Sequence, residues 1–357
     1  MSRVTIKDVA ERSGVSITTV SHVLNDVPGK RVNPLTRQRI KTVADELHYR
    51  PNPLARGLRT QRSNMIGFLS DRVSTTPYAT RMIVGAQDAA AEAGCLLVLL
   101  NSGGDPKLEA REIEALLERQ VDGIVYALFY HQVVDPPTSL SRGPAVLLDA
   151  RSPGATISSV VPDEVGGARA AVEALLAAGH RRIGYVASSD DIPARSLRLV
   201  GYRQALEVYG LEFDPDYVVE TEPDARGGYT AARELLTRDL RPTGLFCFKD
   251  LAAMGVYQAA SELGLSIPDD LSVVGFDDQD PIAASLRPGL STVALPHYEM
   301  GRWAVRTLLD QIQAESQTVA PTHALLTCPF VGRESVAAPK RPTPGPRKDH
   351  QTGGQPP

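Results

Sequence analysis

The chain has 357 residues, 42% hydrophobic, 5% aromatic and 22% charged, enough to bury a sizeable core, which excludes an intrinsically disordered chain. No apolar run approaches the roughly 18 residues of a membrane span, the polar start MSRVTIKDVAERSG has no signal-peptide core, and Cys95, Cys247 and Cys328 form no CxxC pair, so reducing cytoplasm is expected rather than a disulfide framework or a thiolate zinc site. The net charge of −4 hides an asymmetry: residues 1–62 hold twelve Lys or Arg against five Asp or Glu, leaving 26 against 37 beyond, so a basic, polyanion-binding head precedes an acidic body.

Thr5-Ile6-Lys7-Asp8 has the form of a capping box, and Ile6, Val9 and Ala10 follow at helical spacing, so a helix is expected from near Ile6 to Ser13-Gly14. Ser16 then caps a second helix reaching Asn25, with Val20, Val23 and Leu24 as its apolar stripe. Helix, glycine-containing turn and helix make a helix-turn-helix pattern. Ile17, Thr18, Ser21 and His22 lie off the stripe, and their hydroxyls, imidazole and apolar tip suit base edges and a thymine methyl. Asn33-Pro34 opens a third helix whose Ile40, Val43, Ala44 and Leu47 complete a small core, leaving Arg37, Arg39 and Lys41 for phosphates. Asn52-Pro53 then opens a stretch, Leu54 to Thr60, too short to be helical alone. Leu54 and Leu58 with arginines between them have the composition of a minor-groove wedge, a composition that an ordinary Pro-rich linker shares.

Taken together, TIKDVAERSGVSITTVSHVLN and VNPLTRQRIKTVADELHYRPNPLARGLRT resemble the DNA-binding head and hinge of the lac repressor / gal repressor family across residues 4–60. By position, the resemblance implies that Ile17, Thr18, Ser21 and His22 read the major groove. It implies that Thr5, Ser16, Thr19 and Asn25 contact or order the DNA backbone. Leu58, with Asn52, Arg56 and Arg59, becomes the minor-groove hinge, and two such hinges pair in a homodimer on a near-palindromic double-stranded DNA operator. Members of the family carry Arg or His where His22 stands, so the bases it reads are not inherited from any one relative.

In the body, β-branched or leucine-rich runs alternate with helical patterns. Strands are expected at 65–69, 96–100, 123–127, 145–148, 182–186, 218–219, 245–248 and 271–276, and helices at 78–93, 107–120, 165–178, 198–209, 226–237 and 251–263. That alternation means an α/β core of two doubly wound parallel sheets with helices on both faces. Such sheets bind ligands at the carboxyl ends of their strands, where Asp71, Asp149, Lys249-Asp250 and Asp277-Asp278 stand, with Arg198 expected to start a helix after RRIGYVAS.

The segments VEALLAAGHRRIGYV, ARSLRLVGYRQAL, LFCFKDLAAMGV and SVVGFDDQDPIAASLRPGLSTV are similar to the same family's effector-binding core, which is like the periplasmic sugar-binding proteins. The resemblance implies that Arg198 and Asp277 grip a small-molecule effector, a sugar or sugar derivative, while Asp71, Asp149 and Asp163 line the opposite half. It divides the chain into a head at 1–50, a hinge at 51–62, a core at 63–335 and a tail at 336–357. Within the core, one subdomain takes 63–162 and 294–322 and the other 163–293 and 323–335. The Pro- and Gly-rich tail is expected to be disordered, and it lacks the leucine-rich tetramerising helix of some members, so dimers are expected.

Two departures bear on the effector. Lys249 stands where the family usually has Asn, and either it faces an effector phosphate or carboxylate or it pairs with Asp250 or Asp277. Pro223 stands where an aromatic often stacks on a sugar, leaving Tyr78, Tyr126 or Phe248 as platforms.

An enzyme on the same architecture has no support. Ser70-Asp71-Arg72-Val73-Ser74 lacks the glycines of GxGxxG, and Walker A, HExxH and GxSxG are absent. No two of the seven histidines are spaced as a metal pair, and Ser102-Gly103-Gly104-Asp105 reads as a strand-to-helix turn. His180 after Gly179 suits a positive charge at a helix C-terminus. The expectation is a cytoplasmic, allosteric transcriptional repressor with no cofactor, no membrane segment and no catalytic residue.

Overall fold

A computed structural model describes residues 4–25, 29–50, 62–75, 79–314 and 320–340. Asn52, Arg56, Leu58, Arg59 and Tyr78 lie outside the described residues. Two compact units emerge, one holding the chain up to Met65 with Leu116–Asp122, the other holding the rest.

In the first unit, helices α1 (Ile6–Ser13), α2 (Ile17–Leu24) and α3 (Pro34–Glu46) form as expected. The Thr5 N–H and hydroxyl both donate to the Asp8 carboxylate, at 2.7 and 2.8 Å, closing the first turn of α1. Gly14 ends it in the left-handed region at φ 61. The Ser16 hydroxyl accepts from Thr19 N–H at the start of α2, and Asn33 Oδ1 accepts from Leu35 N–H at the start of α3. Val9, Val20, Val23 and Ile40 are buried together where the three helices meet. Further along, the Asp122 carboxylate accepts from the backbone N–H groups of Ser63 and Asn64, at 2.7 and 2.9 Å.

The second unit is the α/β body. Its first half contains β1 (Met65–Ser70), α4 (Thr80–Glu92), β2 (Leu96–Asn101), α5 (Pro106–Glu118), β3 (Gly123–Val133), β4 (Ala145–Arg151) and β5 (Ser158–Pro162). The second half runs α6 (Glu164–Ala177), β6 (Ile183–Ser188), α7 (Pro193–Val208), β7 (Val218–Thr221), α8 (Ala225–Leu236), β8 (Gly244–Cys247), α9 (Asp250–Glu262), β9 (Ser272–Val274), α10 (Ile282–Ser285) and β10 (Thr292–Val293). The chain returns to the first half for α11 (His297–Gln313) and β11 (His323–Leu326), then ends in the second with β12 (Phe330–Val331). Parallel sheets of order β11-β5-β4-β3-β1-β2 and β7-β6-β8-β9 result, with β10 and β12 as an antiparallel pair. Both sheets are doubly wound, and the chain passes between the halves three times.

Strands β5 and β10 to β12 and helices α10 and α11 were not expected from the sequence, and three expectations are corrected. β11 pairs with β5 in the first sheet, so the subdomain boundary expected at 323 falls after Leu326. Helix α7 starts at Pro193, which puts Arg198 in its second turn rather than at its start. Residues 336–340, assigned to the tail, are hydrogen-bonded to the core: Ser272 Oγ accepts from Ala337 N–H, and Lys340 Nζ donates to Asp270 at 2.9 Å. His180 belongs to this anchorage. Its ring nitrogens meet Thr243 Oγ1 and the Ala337 carbonyl, both at 2.9 Å, and burial lowers its pKa. It is therefore a neutral hydrogen-bonding group and not the helix-terminal cation expected.

Candidate functional site

Two sites follow from these frameworks. On α2, the residues off the apolar stripe are available: Ile17 is 43% exposed, Thr18 is exposed, and Ser21 and His22 are half-buried. Asn25 closes the helix by donating from Nδ2 to the Ser21 carbonyl at 2.8 Å, and the hydroxyls of Ser16 and Thr19 meet at 2.9 Å. These contacts give Ser16, Thr19 and Asn25 a capping role, while Ile17, Thr18 and His22 face away from the core.

The second site is a cavity at the carboxyl ends of both sheets. From the second half it is lined by Glu164, Arg198, Phe248, Lys249 and Asp277. Arg198 is 4% exposed, and its guanidinium lies 3.6 Å from the centroid of the Phe276 ring and 4.3 Å from that of Phe248. Its Nε donates to Glu164 at 2.7 Å, Nη1 donates to the Phe248 carbonyl, and Nη2 lies 3.6 Å from Asp277. Burial opposes the guanidinium charge, but Glu164 and Asp277 outweigh it and raise the Arg198 pKa. Burial likewise raises Asp277 to about 6 against the pull of Arg198 and Lys249. Lys249, the residue before α9, has no ion pair among the described residues, and its charge bears on Asp277 without contact.

From the first half come Phe129, Tyr130, His131 and Asp149. Their presence depends on an irregularity in the ladder between β3 and β4. Ala127 pairs with Leu148 and Gln132 with Ala150, so β3 spends five residues where β4 spends two. The surplus delivers Phe129, Tyr130 and His131 to the cavity, and at the matching point of β4 Asp149 adopts a left-handed φ of 58. Burial, with Arg151 and Arg198 nearby, pulls the His131 imidazole down to about 4. Burial, with Glu164 nearby, raises Asp149 well above its ordinary range. The His131 imidazole is therefore neutral at pH 7.

Of the effector residues read from the sequence, Asp149, Arg198, Lys249 and Asp277 meet at this cavity, and Phe248 joins them. Asp71 directly follows β1 but is not among the lining residues; burial raises its pKa, and its charge bears on Glu109 and Tyr126. Asp163 instead caps α6, accepting from Gly166 N–H at 2.9 Å. Tyr126 is a core residue that donates to Glu109 at 2.9 Å rather than a platform. Phe129, Tyr130, His131 and Glu164 were missed. The run Phe129-Tyr130-His131 directly after an apolar strand was the one available signal, and it reads equally as strand continuation.

Residues 5–52 match the bacterial regulatory proteins of the lacI family, and residues 172–336 match the periplasmic binding protein-like domain. The ribose operon repressor of Haemophilus influenzae is 33% identical over 334 residues, covering 93% of this chain and 98% of that protein. The lac repressor dimer bound to operator and the anti-inducer ONPF has a TM-score of 0.76 at 27% identity, covering 94% of this chain and all of that one, 100%. A LacI family transcriptional regulator from Enterococcus faecium with bound ribose has a TM-score of 0.63 at 28% identity, covering 77% of this chain and 100% of its own.

Proposed function

The chain belongs to the lacI family of bacterial regulatory proteins, and from that membership we propose a repressor that binds a near-palindromic operator as a homodimer and answers to a sugar in its core cavity. It is a DNA-binding transcriptional regulator. The observation that carries the reading is the presence in one chain of two separate recognition surfaces. One is a helix whose Ile17, Thr18 and His22 are free of the head's core; the other is a polar cavity at the strand ends of two doubly wound sheets. A name and a bound ribose among the relatives support a sugar as the ligand, and an operator-bound dimer supports the assembly. Among the described residues no helix is long and apolar enough to cross a membrane.

The major-groove reading rests on Ile17, Thr18, Ser21 and His22 and the minor-groove reading on Leu58, with Asn52, Arg56 and Arg59 beside it. Sugar binding changes the relation of the two body halves, and with it the hinge pair on the DNA. Leu58→Ala tests the hinge. In fluorescence anisotropy against DNA from the gene's own upstream region, across a salt series, the variant is expected to lose specific binding while keeping salt-sensitive nonspecific binding. Equal specific binding by both proteins would reduce Leu58 to a linker residue.

A further inference from the structure

Between the hinge and β1 the chain passes through a short joint, Ser63 to Met65, and one carboxylate holds it. Asp122 lies in the turn between α5 and β3. Its Oδ1 accepts from the Ser63 N–H at 2.7 Å and from the Ser63 hydroxyl at 2.9 Å, and its Oδ2 accepts from the Asn64 N–H at 2.9 Å. Two further bonds close the arrangement: the Asp122 N–H donates to the Met65 carbonyl at 2.8 Å, and the Met65 N–H donates to the Ser63 hydroxyl at 3.2 Å. Asn64 has a left-handed φ of 53, and Gln120, two residues before Asp122, has one of 54, so the backbone turns sharply on both sides of the contact. Directly beyond it Ile66 pairs with Gly123, and the joint runs on into the neighbouring strands β1 and β3. A carboxylate suits this place because it only accepts, and two N–H groups and a hydroxyl converge on it. A linker that merely spans a distance needs no fixed backbone, and fixing one costs conformational entropy.

We infer that Asp122 is the positioning residue of the hinge: by fixing the backbone of Ser63 to Met65 before DNA is bound, it sets specific operator affinity without touching DNA. This rests on the proposed function, in which the hinge acts in the minor groove through Leu58. A hinge attached to a free joint must order that joint at the moment of binding, and ordering done at binding lowers affinity. Phosphate contacts in nonspecific binding need no hinge and are indifferent to the joint.

Fluorescence anisotropy on the full chain tests this, with DNA from the gene's own upstream region and a shuffled duplex of the same length. Asp122→Ala should weaken binding to the upstream DNA by about tenfold or more and leave binding to the shuffled duplex unchanged. Ser63→Ala, which keeps the carboxylate and removes the hydroxyl, should show a smaller loss of the same kind. By hydrogen–deuterium exchange, peptides spanning 62–66 should exchange faster in Asp122→Ala while those of β4 and α11 exchange as in the wild type. In a Leu58→Ala background Asp122→Ala should cost no further operator affinity, whereas a general loss of stability would add. The inference is overturned if Asp122→Ala binds the upstream DNA like the wild type, loses both DNAs alike, or adds its loss to that of Leu58→Ala. If that variant does not fold, Ser63→Ala with wild-type operator affinity overturns it. A wild type without preference for the upstream DNA would instead remove the proposed function, and exchange at 62–66 would still decide whether Asp122 holds the joint.

Discussion

Asp149 has a left-handed φ of 58, a carboxyl oxygen without a hydrogen-bond partner among the described residues, and 2% exposure. A surface-turn aspartate needs none of these. Burial, with Glu164 nearby, raises its pKa well above 3.8, so above the ordinary carboxyl range the folded chain keeps a proton that the unfolded chain releases. The residue therefore costs stability progressively as pH rises above about 4, and nothing below it. Asp149→Asn removes the titration, and asparagine tolerates the left-handed region. Urea denaturation at pH 5 and pH 8 should show the variant gaining on the wild type as pH rises; a difference that stays constant with pH would contradict a raised Asp149. Arg198 and Asp277 were legible in the sequence because each sits in a long diagnostic segment. His131 was not, because what aims it is a surplus in the ladder that exists only once β3 and β4 pair.

Helix pairs hold the body together through glycines at their crossings. A Cβ on Gly85 of α4 would run into the Tyr298 carbonyl of α11, and one on Gly301 of α11 into the Met82 carbonyl of α4. Helices α8 and α9 repeat the arrangement, with Gly228 against Ala252 and Gly255 against Ala225. Alanine is worth up to about 1 kcal/mol over glycine inside a helix, so Gly301→Ala would stabilise an isolated α11. Here the backbones must separate, and the expected result is a net loss of about 1–3 kcal/mol in chemical denaturation. Unchanged or increased stability would mean the crossing yields without cost. Helices α4 to α9 and strands β1, β2, β6 and β8 were legible from periodicity and apolar runs, whereas α11, the longest helix of the body, was not read. Strands β5, β10, β11 and β12 were not: β5 is Ser-Ser-Val-Val-Pro, and β10 and β12 have two residues each, formed by nonlocal pairing that leaves no local pattern.

At the scale of the molecule, a basic head and an acidic α/β body were visible in charge and alternation, and the head's three helices follow their capping residues almost to the residue. The three passages between the body halves were only partly visible, since they depend on where β11 pairs. Those passages are what allow a ligand in the cavity to touch both halves and bias their relation. Coupling of this kind is a free energy shared by two sites, typically about 1–3 kcal/mol, and it acts equally in both directions. The most direct test is the operator affinity of the full chain, by fluorescence anisotropy, with and without a saturating concentration of the sugar that calorimetry shows to bind. The account predicts a change of about 5–150-fold in operator Kd. An operator Kd that stays the same with the sugar demonstrably bound would contradict it.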